Sequence, residues 1–386
     1  MISEMKRIQS FPDDYIFSGT YKQIKDRIGN SVPPNLMRAI AENIREVPFM
    51  KGIEKPTVVS TFAGCGGSSL GYQMAGFKEL LAVEWDDNAI ETFRLNFPDV
   101  PVYHGDITKL TGAECMRLAG IKKGVLDVLD GSPPCQGFST AGKRKWDDPR
   151  NSLFKEFARL LDELQPKAFV MENVTGMVKG CMKQAYLEII KTLRDCGYKA
   201  KGEVLNAMYF NVPQSRERVI IIGVREDLGV EPSHPKPQGR PVTLNQAIAN
   251  LTGNDVLPRI APDHTYVKRI QLLKPGQNIG KLFGHGFNWI RCDGNQPCPT
   301  ISKSTTFGKL GFLFLPDGSR NLSTRELCRC HSYPDSFDFV GDYVSITARI
   351  GNSVLPNLMK AIAEYIKVNI LNLINVTGKE PRLLEN

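Results

Sequence analysis

A cysteine follows two prolines at the end of an apolar run in Gly131-Ser-Pro-Pro-Cys135. Proline fixes φ and removes a backbone donor, so this cysteine is predicted to lie on a stiff turn rather than inside a helix or strand. Gly131 and Gly137 on either side allow the backbone to pass close to a ligand. A thiol presented in this way suits a nucleophile. The segment alone is equally compatible with a strand-end loop that holds a cysteine.

Two further groups with suitable chemistry also lie next to apolar runs. Glu172 follows the apolar residues 168–171, and a carboxyl at the mouth of a hydrophobic strand can serve as a proton donor. Arg216 and Arg218 are two apart on an extended stretch and hence on one face. Such a pair could clamp a carbonyl or a phosphate. The structural alternatives are a helix-capping acid and a solvated edge.

Acidic residues at the ends of successive predicted strands indicate an adenosyl site. The first strand runs into the glycine-rich Phe62-Ala-Gly-Cys-Gly-Gly, which would let a cofactor approach the backbone closely. This pattern is not the dinucleotide fingerprint, which weakens a nicotinamide interpretation. Glu84, after the second strand, can accept both hydroxyls of a ribose. Trp85 offers a face for an adenine, and Asp106, after the third strand, could hold the adenine amine.

The elements that must position these residues alternate between strands and helices. Short apolar runs predict strands at 57–62, 79–84, 100–104, 126–130, 168–172 and 219–224. Helical periodicity over 151–164 and 182–196 predicts amphipathic helices. This alternation predicts an α/β fold, a doubly wound and mostly parallel sheet, over residues 57–225.

The character of the sequence changes after residue 226. Prolines and glycines recur, and helical periodicity fades. We therefore expect a second, smaller, loop-rich domain with short strands over 226–340, after which residues 341–375 return to the first domain. Loops on a rigid scaffold are a common place for recognition.

One segment occurs at both ends of the chain. Residues 4–44 (the N-terminal copy) align without gaps with residues 326–366 (the C-terminal copy), and 24 of the 41 positions are identical. The shared centre is Arg27-Ile-Gly-Asn-Ser-Val in one copy and Arg349-Ile-Gly-Asn-Ser-Val in the other. A separation of 322 residues excludes a solenoid. Residues 1–48 are therefore predicted to be a duplicated terminal segment.

Composition is that of a soluble protein of two domains, with 386 residues, 41% hydrophobic and 23% charged. No apolar run approaches the roughly 20 residues of a membrane span, and the first residues lack a signal peptide, so a cytoplasmic location is expected. The nine cysteines are odd in number and irregularly spaced, which argues against disulfides. Cys292, Cys298, Cys328, Cys330 and His331 match no zinc spacing, so no metal is predicted. The net charge of +8 suits a polyanionic partner.

The ordered motifs resemble those of DNA (cytosine-5)-methyltransferases over residues 58–366. They are Phe62-Ala-Gly-Cys-Gly-Gly, Glu84-Trp85, Gly105-Asp106, Pro133-Pro-Cys135, Glu172-Asn-Val174, Gln214-x-Arg-x-Arg218, Arg325-Glu326 with Pro334-Asp335, and Gly351-Asn-Ser-Val354. The resemblance implies the S-adenosylmethionine-dependent methyltransferase fold with a target-recognition domain. It also implies methylation at C5 of a cytosine flipped out of a specific short duplex DNA sequence.

The same resemblance implies a role for each residue. Cys135 would attack C6 of the cytosine, and Glu172 would protonate or hydrogen-bond N3. Arg218 would contact O2, with Arg216 near the catalytic loop and phosphates. The residues expected to bind S-adenosylmethionine are Phe62, Gly64, Gly66, Glu84, Trp85, Asp106, Ile107, Pro134, Leu153 and Asn352. The stretch 139–150 would be a loop that closes on DNA, with Ser139, Lys143, Arg144 and Lys145 at the phosphates.

Family members normally have one copy of the Gly-Asn-Ser segment, so the duplication leaves three hypotheses open. In the first, the C-terminal copy supplies Asn352 because it is contiguous with Ser323-Thr-Arg-Glu326. In the second, Asn30 takes that place and residues 341–386 are loose or swapped into a second subunit. In the third, the N-terminal copy is a remnant without a role.

Two other functions remain alternatives. Methylation of cytosine in tRNA uses the same chemistry, but its usual Cys-Phe-Thr signature is absent. A catalytically inactive DNA-binding subunit is disfavoured by the intact Cys135, Glu172 and Arg218. The expected partners are double-stranded DNA and, functionally, a cognate restriction endonuclease, and the expected state is a monomer.

Overall fold

The computed structural model divides the chain into two compact units, residues 1–54 and 55–386. It describes residues 2–9, 20–30, 55–134, 153–178, 183–237, 239–251, 255, 265–280, 289–303 and 312–377. Cys135 and the predicted DNA-binding residues Ser139, Lys143, Arg144 and Lys145 lie outside the described residues. In the first unit, the described helices are α1 (Ile2–Ile8) and α2 (Tyr21–Asn30).

A seven-stranded sheet forms the centre of the second unit. Its strands are β1 (Thr57–Thr61), β2 (Lys78–Glu84), β3 (Val102–His104), β4 (Val128–Gly131), β5 (Ala168–Val174), β6 (Tyr198–Asn206) and β7 (Glu217–Arg225), in the order β3-β2-β1-β4-β5-β7-β6. All neighbours are parallel except β7, which runs antiparallel to both β5 and β6. The prediction of a doubly wound, mostly parallel sheet is confirmed.

Strand β6 was not predicted, and its place in the sheet explains why. It is an edge strand whose side chains alternate between buried Tyr198 or Ala200 and more exposed Lys199 or Lys201. An edge strand with one solvated face carries no continuous apolar run.

Helices cover both faces of the sheet. They are α3 (Gly67–Met74), α4 (Asp87–Asn96), α5 (Gly112–Ala119), α6 (Leu153–Leu164), α7 (Lys183–Asp195), α8 (Leu244–Ile248), α9 (Thr265–Gln271), α10 (Thr324–Cys330), α11 (Tyr343–Asn352), α12 (Pro356–Ile366) and α13 (Asn372–Thr377). On one face, α6 and α7 pack Phe157 and Ile189 against Leu129 and Met171. The other face is covered by α3 and α12.

The packing of α3 against α12 depends on a helical glycine. A Cβ added to Gly71 would lie 2.6 Å from the Cβ of Met359 and 2.7 Å from the carbonyl oxygen of Pro356. The two backbones therefore approach closely, and Leu358 and Ile362 reach the sheet beside Tyr72. In this way the C-terminal copy forms part of the core of the unit 55–386.

The region from 226 to 340 contributes short elements and a third core cluster. Strands β8 (Ile290–Arg291) and β9 (Leu313–Phe314) pair in parallel. The cluster joins Cys65 of the glycine-rich loop and Phe93 of α4 to residues of the region itself, such as Leu244, Cys298 and Leu327, and to Ile350 of α11. The boundaries at 226 and 340 stay predictions. Among the described residues, no helix has both the length and the apolar character needed to cross a membrane.

Candidate active site

Glu84 organises the glycine-rich loop at the carboxyl edge of the sheet. One carboxylate oxygen accepts the backbone N–H of Gly64 at 2.7 Å. The other accepts those of Trp85 and Asp86 at 2.8 and 2.9 Å. These three bonds fix the carboxylate at the end of β2. They also hold the loop after β1 next to it.

Trp85 and Asp106 border the same edge. The Trp85 side chain is 76% exposed, which is unusual for a large aromatic residue. Asp106 follows β3, which pairs with β2 so that Glu84 lies opposite His104. The Asp106 carboxylate caps the short helical turn Ile107–Lys109, and the hydrogen bond from the Thr108 backbone N–H lowers the pKa of Asp106. The structure therefore brings Glu84, Trp85 and Asp106 to neighbouring strand ends.

The other predicted cofactor residues are distributed around this edge. Phe62, the residue after β1, has a positive φ of 54°, and its carbonyl oxygen accepts a hydrogen bond from the Ser132 hydroxyl, 3.3 Å away. Gly64 and Gly66 also have positive φ. Ile107 is buried, Pro134 follows β4, Leu153 begins α6, and Asn352 ends α11 with an exposed side chain.

Glu172 and Arg218 form a mostly buried ion pair between β5 and β7. The Nε of Arg218 lies 2.7 Å from Oε1 of Glu172, and the two side chains are only 13% and 12% exposed. Burial lowers the pKa of Arg218, and the Glu172 carboxylate opposes that shift. Next to Glu172, the Asn173 amide donates to the carbonyl oxygen of Pro133 at 3.1 Å. The strand end that carries Glu172 is thus tied to the segment two residues before Cys135.

Arg216 makes different contacts from Arg218. Its guanidinium is buried and donates to the main-chain carbonyls of Ile301 and Gly351, at 2.8 and 2.7 Å. It thereby joins the start of β7 to the 226–340 region and to the C-terminal copy. Sequence reasoning placed both arginines on one face, but it could not identify these carbonyl partners.

Two residues of the site were given no role by sequence reasoning. In the sequence, Gln214 is only the first residue of its motif, and His331 matches no zinc spacing. In the structure both are fully buried and hydrogen-bonded to each other. They are 117 residues apart, so no local pattern signals the contact. Within the described ranges, no three His, Cys, Asp or Glu side chains are grouped so as to hold a metal ion.

Two acids of the sheet, the buried Asp130 and the half-buried Glu79, were also missed. Asp130, on β4, accepts a hydrogen bond from Ser68 at 2.5 Å and one from Tyr72 at 3.4 Å. Glu79, on β2, accepts one from Ser69 at 2.9 Å. Burial raises the pKa of each acid to about 7. Asp130 therefore joins the first turn of α3 to the strand that leads to Cys135.

Comparison with known proteins agrees with this geometry. The family model for C-5 cytosine-specific DNA methylases matches residues 1–46 and 57–368. The Type II methyltransferase M1.HphI of Haemophilus parahaemolyticus is 36% identical over 332 residues, covering 80% of this chain and 86% of that protein. M.NgoFVII of Neisseria gonorrhoeae is 33% identical over 341 residues, covering 81% and 86%. A crystal structure from E. coli, described as a putative DNA modification methyltransferase encoded within a prophage, matches with a TM-score of 0.67 at 26% identity, covering 83% of this chain and all of that one.

Proposed function

Because the chain belongs to the C-5 cytosine-specific DNA methylases, which methylate cytosine in DNA, we propose how its own residues carry out that reaction. The proposal is that Cys135 forms a covalent bond to C6 of a cytosine flipped out of one short duplex sequence. The observation that supports it most is the contact between Asn173 and Pro133, which ties Pro133, two residues before Cys135 in the sequence, to the strand end that carries Glu172.

The chemistry divides among three side chains. The Cys135 thiolate adds to C6, and the electron pair of the C5–C6 bond becomes available at C5. Glu172 hydrogen-bonds or protonates N3, which makes C6 more electrophilic. Arg218, held by its ion pair with Glu172, is directed at O2 and stabilises negative charge that develops on the ring. After C5 has gained its methyl group, loss of the C5 proton and departure of the Cys135 sulfur restore the aromatic ring.

The described residues at the carboxyl edge suit S-adenosylmethionine, which supplies an electrophilic methyl group when bound. A Cβ at Gly64 would meet no atom within 4 Å, so the glycine-rich loop borders open space. Glu84 is proposed to accept the ribose hydroxyls, Trp85 to stack on the adenine, and Asp106 to accept the adenine amine. Phe62, Ile107, Pro134 and Leu153 are proposed to complete the walls.

Asn352, rather than Asn30, is proposed as the asparagine of this pocket. The support is that its neighbour Ser353 contacts Cys65 of the glycine-rich loop, with an Oγ–Sγ distance of 3.3 Å. Tyr333 also contacts both Ser353 and Cys65 through its hydroxyl. The N-terminal copy has Phe11 where the C-terminal copy has Tyr333, and so lacks that hydroxyl.

The loop 139–150 is proposed to neutralise DNA phosphates through Ser139 and the basic residues 143–145. The similarity to Type II methyltransferases supports a cognate restriction endonuclease as a functional partner. The chain is proposed to act as a monomer, so light scattering should give a mass near 43.0 kDa.

The decisive experiment is covalent trapping on duplex DNA that contains 5-fluorocytosine. The fluorine cannot leave C5 as a proton does, so an attacking thiol stays attached. The target sequence is identified first. Purified protein is incubated with S-adenosylmethionine and genomic DNA, and 5-methylcytosine is then mapped by bisulfite sequencing. We expect one short methylated motif, a trapped adduct on a fluorinated duplex of that motif, and no adduct from Cys135→Ser. Methylation by Cys135→Ser, or activity on tRNA but not DNA, would contradict the proposal.

A further inference from the structure

A series of buried and partly buried hydrogen bonds, which passes through Ser353, connects the glycine-rich loop to the start of β7. It begins at Cys65, whose Sγ lies 3.3 Å from the Ser353 hydroxyl. The carbonyl oxygen of Ser353 is bonded to Nε2 of His331 at 3.1 Å. Nδ1 of His331 is in turn bonded to the side-chain amide of Gln214 at 3.1 Å. Each link joins a different part of the chain.

The partners of His331 determine its protonation. A carbonyl oxygen can only accept, so the hydrogen must be on Nε2, facing Ser353. Nδ1 then carries a lone pair and accepts from the Gln214 amide. The orientation of that amide is set independently, because its oxygen accepts the backbone N–H of Ile301 at 3.1 Å. His331 is consequently neutral, with one tautomer.

The charges around the ring agree with a neutral imidazole. Arg216 and Arg218, at the start of β7, act on the ring through their positive charges, and the Tyr333 ring stacks on it with centroids 5.8 Å apart. Burial, together with these arginines, lowers the pKa of His331 well below its usual value, against the favourable Ser353 carbonyl.

Gln214 extends the series to the 226–340 region and to Arg218 and Glu172, which are proposed to contact the cytosine. Its neighbour Ser215 donates its backbone N–H to Cys298 at 2.9 Å, and Cys298 donates to Pro213 at 2.9 Å. Four residues after Gln214 comes Arg218, the partner of Glu172. His331 therefore stands between the segment that positions Arg218 and the loop that borders the cofactor site.

We propose that His331 is a positioning residue. As the neutral Nε2–H tautomer, it holds Gln214 and the start of β7 in a fixed position relative to Ser353 and the glycine-rich loop. The inference rests on the proposed function, because the two sides that it aligns are the proposed base pocket and methyl-donor pocket. Misalignment of these sides by a fraction of an ångström would slow methyl transfer, which depends on the approach of two reacting atoms.

The duplicated segment identifies the conservative substitution. Position 331 of the C-terminal copy corresponds to Gln9 in the N-terminal copy. A glutamine side chain can donate from its nitrogen and accept at its oxygen, and so can satisfy both Ser353 and Gln214. Phenylalanine keeps the ring that stacks on Tyr333, but leaves both of these groups without their partner.

The test compares His331→Phe with His331→Gln in the full chain. Calorimetry measures the Kd of S-adenosylhomocysteine, and single-turnover assays measure methylation at saturating donor and DNA. We expect His331→Phe to raise the Kd and to lower the rate, each by about tenfold, and His331→Gln to recover most of both. A matched control is His234→Phe, which removes another buried histidine and its 2.9 Å bond to Ile220. That variant should lower the melting temperature without changing the Kd or the rate.

A double-mutant cycle with Gln214→Leu tests whether the two side chains act as one unit. We expect the double variant to be no slower than the slower single variant. Additive losses, an unchanged Kd and rate in His331→Phe, or equal losses in the Phe and Gln variants would overturn the proposal.

Nitrogen NMR of histidine-labelled protein gives the tautomer without any assay of activity. A protonated or Nδ1–H His331 at neutral pH would also overturn the proposal. If the unaltered protein failed to form the fluorocytosine adduct, the proposed function would fail. The effects on Kd and the NMR signal would still decide the role of His331.

Discussion

At the scale of single residues, the ion pair of Glu172 and Arg218 is the feature closest to the proposed chemistry. Both groups are largely withdrawn from water, so removal of one leaves the other uncompensated. We expect Arg218→Gln to reduce the single-turnover methylation rate by roughly 10- to 100-fold. Arg225→Gln is the control, because Arg225 is also buried but pairs with Asp227. A rate in Arg218→Gln equal to that of the unaltered enzyme would exclude a role for the pair.

The buried carboxyl of Asp130 gives a second prediction, on stability against pH. Its pKa in the folded protein is about 7, raised by burial and by Glu79 and Glu172, whereas in the unfolded chain it is near 4. Between about pH 4 and 7 the native protein keeps a proton that the unfolded chain releases, so Asp130 lowers stability as the pH rises. Asp130→Asn removes this titration. The difference in melting temperature, Asp130→Asn minus the unaltered protein, should therefore increase from pH 5 to pH 8.

The control for this experiment is Asp162→Asn, an exposed position on α6. Its melting temperature should follow that of the unaltered protein at every pH. If the Asp130→Asn difference stayed constant over the range, Asp130 would not be the titrating group.

The residues that sequence alone could identify are those with a local context. Glu84 and Asp106 end apolar strands, and parallel strands bring such ends to one edge of a sheet. The contact of His331 with Gln214 has no local context, because it joins residues 117 apart. The raised pKa of Asp130 was equally hidden, since it results from burial of the carboxyl by tertiary packing, next to Ser68 and Tyr72 of α3.

At the scale of secondary-structure elements, the contact of α3 with α12 can be tested by one methyl group. Alanine is favoured over glycine inside a helix by up to about 1 kcal/mol. At Gly71, however, the new Cβ would lie 2.6 Å from Met359, within a rigid backbone contact. We expect Gly71→Ala to lower the free energy of unfolding by about 1–3 kcal/mol, measured in urea. Gln73→Ala, exposed on the same helix, should change it little, and an equal or greater stability of Gly71→Ala would exclude close packing.

Elements with continuous apolar patterns were predictable, and those shaped by tertiary contacts were not. Strands β1, β2 and β5 and helices α6 and α7 agree with their predicted ranges to within a few residues where the structure describes them. Nothing in the sequence of β7 indicates that it runs antiparallel to β5. Strand β6 precedes β7 in the chain and pairs with it in antiparallel fashion, so β7 runs opposite to the parallel strands. The sequence of β6 is itself too polar to indicate a strand.

At the scale of the whole molecule, the C-terminal copy of the duplicated segment is part of the core of the unit 55–386. In the unit 55–386, Val354, Leu355, Leu358, Met359, Ile362, Ala363 and Ile366 of the C-terminal copy are all buried against the sheet. Arg216 binds the carbonyl of Gly351 in the same copy. A core that already includes the C-terminal copy does not need a second one to fold.

Two deletions therefore should have opposite effects. Removal of residues 1–48 should leave methylation of the same DNA motif and the melting temperature of the main unit unchanged. Removal of residues 349–386 should abolish cooperative unfolding, because it exposes the apolar face of the sheet that α12 covers. If the first deletion instead abolished activity while the protein stayed folded, Asn30 would become the candidate for the cofactor pocket. The duplicated segment would then be the working part rather than a remnant.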